Sequence, residues 1–159
     1  MKKNFLTLLF ASLLVFSGFA FTSCSNDDNN EFETSVLLKD LPAAAQSFLS
    51  QYYPNVAFKS AEKQQIKDIY IYEVELQDGT EITFNSAGEW QEVDAPEGKT
   101  VPSGFYPSGI DEYLSQNYSG YGINEINKYD SGYNVELVNN GPELEFNLMG
   151  EFVRVISEF

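Results

Sequence analysis

Glutamates in alternating segments and a single cysteine are the side chains whose type and placement could do chemistry. Glu73, Glu75 and Glu81 fall in one stretch of period-two alternation, Glu136 and Glu145 in another. Carboxylates gathered on one surface supply oxygen ligands for calcium or an attractive field for a basic partner. Cys24 is the only cysteine of the 159 residues, so it cannot be half of an internal disulfide. A lone thiol closing an apolar leader has a use in acylation.

Met1-Lys2-Lys3-Asn4 carries the positive charge of a secretory leader, and Phe5 to Phe21 runs without a charge. Small residues precede the thiol, and Phe21-Thr22-Ser23-Cys24 resembles a bacterial lipobox, with Phe21 where leucine is commoner. Residues 1–23 are therefore expected to be a signal peptide and Cys24 the lipidated start of the mature chain. Several acyl chains on one cysteine would anchor it firmly, at about 0.8 kcal/mol per buried methylene. The expected address is the bacterial cell envelope, tied to the outer membrane by the lipid and either periplasmic or surface-exposed. Residues 24–37 follow as an acidic flexible tether, since Ser25 to Ser35 offers almost no apolar surface to bury. Ser25 to Asp28 also resembles the surface-export signal of Bacteroidetes lipoproteins.

Composition removes whole classes of function. Without residues 1–23 the chain loses Lys2 and Lys3 and no acid, leaving 7 basic and 24 acidic residues, a net charge of −17. Such a surface repels phosphate backbones, so no nucleic-acid partner is expected. There is no histidine. Ser-His-Asp and Cys-His catalysis and histidine-bearing metal sites are thereby excluded. A glycosidase-type carboxylate pair is still available among the 24 acids, but no motif points to a pocket for it. The chain is read as no enzyme.

The elements that position the glutamates come as a duplicated unit. Leu41-Pro42 to Tyr53 aligns with Tyr106-Pro107 to Tyr118 at a spacing of 65, with five identities. Tyr72 to Leu76 aligns with Tyr133 to Leu137 at 61, and Glu81 to Trp90 with Glu143 to Phe152 at 62. Each unit opens with a helical stripe: Leu41, Ala45, Phe48, Leu49 and Tyr52, then Tyr106, Ile110, Tyr113 and Leu114. Asp40 is a candidate cap for the first helix. Period-two strands follow, with Tyr70, Tyr72, Val74, Leu76, Ile82 and Phe84 on one face and Tyr133, Val135, Leu137, Leu144, Phe146 and Leu148 in the other unit. Hairpins are expected at Gln77-Asp78-Gly79 and Asn140-Gly141, which would set Glu75 opposite Glu81 and Glu136 opposite Glu145. The expected fold class is α+β: a tandem repeat of one helix plus about four antiparallel strands, with the helices on one face of the sheet. The units run from 38 to 97 and from 98 to 159, and too little core in either alone argues that they share one.

The motifs Leu41-Pro42, Phe48 to Pro54, Tyr72 to Phe84 and Gly88-Glu89-Trp90 resemble the PepSY-like repeat of Bacteroidetes periplasmic and surface lipoproteins. The second copy runs from Tyr106-Pro107 to Phe152. Asn85 and Asn147 stand where aspartate is common, and Phe152 where tryptophan is. The resemblance implies a fold like that of beta-lactamase inhibitor protein, with helices on one sheet face and the other face open. It also implies a modulator of secreted peptidases or, in some relatives, a calcium-responsive protein.

The expected function is a non-catalytic, lipid-anchored binding module that presents an acidic sheet face to a protein or peptide, as an inhibitor or modulator of secreted enzymes. The alternative is a calcium-responsive structural protein of the periplasm or surface. Candidate face residues are Glu73, Glu75, Glu81, Glu136, Glu145 and Trp90. Glu75, Glu81, Glu136 and Glu145 are the calcium candidates, no metal site being assigned and no other cofactor expected. Tyr106, Tyr118, Tyr121 and Tyr129 are candidates for an aromatic patch beside Trp90.

Overall fold

A computed structural model describes residues 31–66 and 69–157. The expected signal peptide, Cys24 and the first part of the tether lie outside the described residues. The rest of that tether is not a free linker. Glu31–Ser35 is a strand, β1, paired residue for residue with β2 (Phe58–Ile66) at the sheet edge.

The other strands are β3 (Ile69–Leu76), β4 (Glu81–Asn85), β5 (Trp90–Asp94), β6 (Ile123–Tyr129), β7 (Gly132–Leu137), β8 (Glu143–Asn147) and β9 (Phe152–Ser157). All nine form one antiparallel sheet in sequence order, so each strand pairs only with its neighbours in the chain. Two helices interrupt the meander. α1 (Ala43–Tyr52) precedes β2, and α2 (Ser108–Asn117) precedes β6.

Both helices start just after a proline, Pro42 and Pro107, whose fixed φ suits a chain about to turn helical. Neither has a side-chain cap. Asp40 falls in a short 3-10 turn, Leu38–Asp40, where Lys39 donates to it at 3.0 Å. The α1 stripe buries Ala45, Phe48 and Leu49, and the α2 stripe Ile110 and Leu114. Beneath them the strands turn one face inward. Val74, Ile82, Phe84, Val93, Ile126, Val135, Leu144 and Phe146 are at most 1 % exposed. Each such side chain contributes roughly 1.5–3 kcal/mol by leaving water, which makes this layer the main source of stability.

Phe105 ties the two helical regions together. It stands edge-on to Phe48 at 5.2 Å, to Tyr52 at 5.4 Å and to Trp90 at 4.9 Å. The Tyr52 hydroxyl donates to the Gly104 carbonyl at 3.1 Å and holds that loop against α1.

Candidate functional site

Alternation sends every second residue of each strand to the face away from the helices. There the register brings acids side by side. Glu75 pairs with Glu81, Glu81 with Asp94, Asp94 with Glu125, Glu125 with Glu136 and Glu136 with Glu143. Six consecutive strands, β3 to β8, thus each place one carboxylate in a single row across the sheet. At about 4.8 Å per strand the row spans roughly 24 Å. A second row runs beside it as Glu62, Glu73, Thr83, Glu92, Asn127, Asn134, Glu145 and Arg154.

Few cations answer these charges. Lys59 pairs with Glu75, and Arg154 with Glu145 at 2.6 Å. Both pairs sit at the ends of the rows. Among the described residues no lysine or arginine makes an ion pair with Glu81, Glu92, Asp94, Glu125, Glu136 or Glu143. Neutral amides help instead: Gln64 donates to Glu73 at 2.8 Å, Asn127 to Glu125, and Asn134 to Glu143 at 3.3 Å.

Crowding shows in the proton affinities. Burial, then Glu125 and Asp94, push Glu92 up to about 7. Burial, then Glu125 and Glu81, push Asp94 up to about 6. Glu136 is raised by burial and by Glu125 and Glu143. Glu143 is raised by burial and by Glu125, against the lowering effect of the Asn134 hydrogen bond. Glu73 is raised by burial and then by Glu62.

Of the residues singled out by sequence, Glu73, Glu75, Glu81, Glu136 and Glu145 lie on this face, and Glu75 faces Glu81. Glu136 does not face Glu145. The turn after β7 centres on Asn139 and Asn140, whose φ values of 61° and 54° make the two-residue reversal, and Gly141 closes it with an N–H to the Val138 carbonyl. The pairing therefore moves by two residues, setting Glu136 opposite Glu143 and Glu145 opposite Asn134. Leu148 and Tyr70, expected on the inner face, are exposed instead, Leu148 in the β8–β9 turn and Tyr70 at the start of β3.

Trp90 is not on the acidic face. It is 9 % exposed on the helix side, between Phe105 and the stacked Tyr133 ring at 6.1 Å. The tyrosines are not gathered either. Tyr129 is exposed on the carboxylate face, whereas Tyr106 and Tyr118 are half-buried among the helix-side rings. Sequence reasoning missed Glu92, Asp94, Glu125 and Glu143. The available signal was the alternation of Glu92 and Asp94 about Val93, extended across a β5–β6 pairing.

The carboxylates are strung out and do not converge. Calcium needs several oxygens within about 2.3–2.6 Å of one point. Among the described residues no group of three or more His, Cys, Asp or Glu is placed to hold a metal ion.

Comparison with known proteins bears on this fold. Residues 70–154, more than half of the chain, match the family described as "Putative beta-lactamase-inhibitor-like, PepSY-like". This chain belongs to the PepSY-like family. Among solved structures, the PepSY-like chain is similar to a "putative calcium-regulated periplasmic protein" of Bacteroides thetaiotaomicron, with 26 % identity and a TM-score of 0.73 over 79 % of this chain and 97 % of that one. It is similar to a "putative periplasmic protein of unknown function" of Bacteroides vulgatus, with 30 % identity and a TM-score of 0.73 over 79 % of this chain and 100 % of that one. A second protein of Bacteroides vulgatus, described as a "putative periplasmic protein", shares the fold at 24 % identity and a TM-score of 0.72, over 79 % of this chain and 97 % of that one. Among curated proteins none matches.

Proposed function

We propose that this PepSY-like chain is a non-catalytic binding module of the bacterial envelope. Its acidic sheet face takes a basic segment of a protein or peptide, and the module acts as an inhibitor or modulator of secreted enzymes. The observation that carries this reading is the six-carboxylate row from Glu75 to Glu143, whose middle members pair with no lysine or arginine among the described residues. A row of like charge held on a rigid sheet attracts a cationic partner and speeds its arrival.

Two copies of one helix-plus-four-strand unit build that face in this reading. Supporting it, bulges recur at Lys59 and Asn124 and again at Gln91 and Val153. Gly88 and Gly150 sit in matching positions beneath Pro42 and Pro107. Lipidation at Cys24, with anchoring in the outer membrane, rests on the leader sequence. An envelope address draws support from the periplasmic relatives.

A second reading is a calcium-responsive protein, favoured by the description of the Bacteroides thetaiotaomicron relative. In that case Glu75, Glu81, Glu136 or Glu145 would contribute ligands after rearrangement.

Photocrosslinking from positions on the acidic face in the native envelope tests the first reading. A partner captured by the wild type and lost when Asp94 and Glu125 are made Asn and Gln supports it. Capture indifferent to that change contradicts it. Calorimetry with millimolar calcium tests the second, because a ligand that binds only the folded state must raise the melting temperature. An unchanged melting temperature rules calcium out.

A further inference from the structure

Over residues 33–35, β1 is held to the sheet through its backbone. The strand stands at the sheet edge and pairs with β2, residue for residue. The side chains of Glu33, Thr34 and Ser35 are exposed, and none makes an ion pair among the described residues. The opposite edge strand, β9, is anchored by packing: Phe152 stacks on Tyr113 at 4.4 Å, and Val155 lies against the core.

The direction of the ladder bonds is fixed. The Val36 N–H donates to the Ala61 carbonyl at 2.8 Å. Such bonds alternate along an antiparallel pair, so Thr34 also aims its N–H at β2, whereas Glu33 and Ser35 aim theirs outward. Glu33 and Ser35 carry their side chains on the acidic face, in register with Gln64 and Glu62.

Charge sets what suits this place. Ser35 is the partner of Glu62, and Glu62 is the partner of Glu73. Among the described residues neither glutamate pairs with a lysine or arginine. Glu33, diagonal to Glu62, adds a further acid, and its charge is among those that raise Glu73. β1 therefore brings a carboxylate to an edge that is already acidic.

We infer that β1 is an exchangeable strand, and that an extended basic segment of a partner takes its place on β2. Lysine or arginine at the positions of Glu33 and Ser35 then lies beside Glu62 and Glu73. The incoming segment makes the main-chain bonds that β1 already makes, and repulsion across the sheet gives way to attraction. The inference rests on the basic-partner reading above and gives it a binding mode.

Amide hydrogen exchange of the intact protein, with and without a short peptide alternating lysine and valine, tests the exchange. Bound peptide should quicken exchange at Thr34 and Val36 at least about tenfold, while Lys63, on the β2 side of the same ladder, stays protected. Proline in place of valine keeps the peptide's charge and removes each N–H aimed at β2, so that peptide should bind at least about tenfold more weakly. Thr34→Pro takes one ladder bond from β1 and should tighten the lysine-valine peptide about two- to tenfold, the worth of one hydrogen bond. Binding that leaves Thr34 and Val36 protected would overturn the exchange and leave the basic-partner reading standing. Equal binding of the proline peptide, or no gain in Thr34→Pro, would do the same. A lysine-valine peptide that does not bind at all would overturn both.

Discussion

Asp94 of β5 and Glu125 of β6 are direct register partners across the strand pair that joins the two halves of the sheet. Without that pair the acids would form two separate runs, Glu75 to Asp94 and Glu125 to Glu143. With it they make one row. Like charges directly opposite cost roughly 0.2–1 kcal/mol per pair. On the other face of the same two strands, Val93 lies beside Ile126, both 0 % exposed. At about 1.5–3 kcal/mol each, their burial outweighs the repulsion. The inner face thus holds together an outer face that would otherwise push itself apart.

Stability should fall as pH rises toward neutrality. Asp94 and Glu92 titrate at about 6 and about 7 in the fold, against ordinary values of 3.8 and 4.5. The folded state therefore binds these protons more tightly than the unfolded chain. Their stabilising contribution is complete below the unfolded values and is lost as pH climbs through the folded ones. Urea midpoints measured from pH 4.5 to 8 should decline over that window. Asp94→Asn with Glu92→Gln should flatten the decline and raise the midpoint at pH 8. A midpoint that rises across the window would contradict the buried, mutually repelling arrangement.

Trp90 should matter to folding and not to recognition. Its ring fills space between Phe105 and Tyr133. Trp90→Ala should cost about 3–5 kcal/mol in urea denaturation, the usual loss for a truncated core aromatic. A cost below about 1 kcal/mol would be that of a surface residue.

Gly88 should be far less replaceable than Gly98. Both have positive φ, +83° and +73°, so alanine at either adds backbone strain of about 1–2 kcal/mol. A Cβ at Gly88 would also stand 2.7 Å from the Pro42 Cβ and 2.9 Å from the Ala45 nitrogen, whereas one at Gly98 meets nothing within 4 Å. Gly88→Ala should therefore lower the melting temperature well beyond Gly98→Ala. Equal losses would mean that α1 is not seated on the β4–β5 turn.

Much of the α+β architecture could be read from residue order, because stripes such as Ala45–Phe48–Leu49 and alternations such as Tyr133–Val135–Leu137 each have one low-energy way to bury themselves. Register was harder. Asn140-Gly141 and Asn139-Asn140 are both acceptable reversals, and choosing between them shifts the pairing by two residues without moving any side chain to the other face. Hydrophobic alternation cannot detect such a slip. Nor could local pattern place Asp94 beside Glu125, since that contact depends on a strand pairing across the loop and α2. Trp90 misled because tryptophan suits both cores and interfaces. β1 was hidden in polar sequence, where Glu31–Ser35 has little alternation and gains its place from β2's free edge.

The most direct test of the acidic face is the salt dependence of binding to a lysine-rich peptide, compared between two variants of equal net charge. One carries Asp94→Asn and Glu125→Gln at the centre of the row. The other carries Glu97→Gln and Glu112→Gln, both exposed and outside the strands. The row variant should bind at least about tenfold more weakly and show a shallower salt dependence, as expected when specific charge contacts are lost, while the other should stay near wild type. Equal weakening of both would mean that only overall charge attracts the peptide, and that the row has no role of its own.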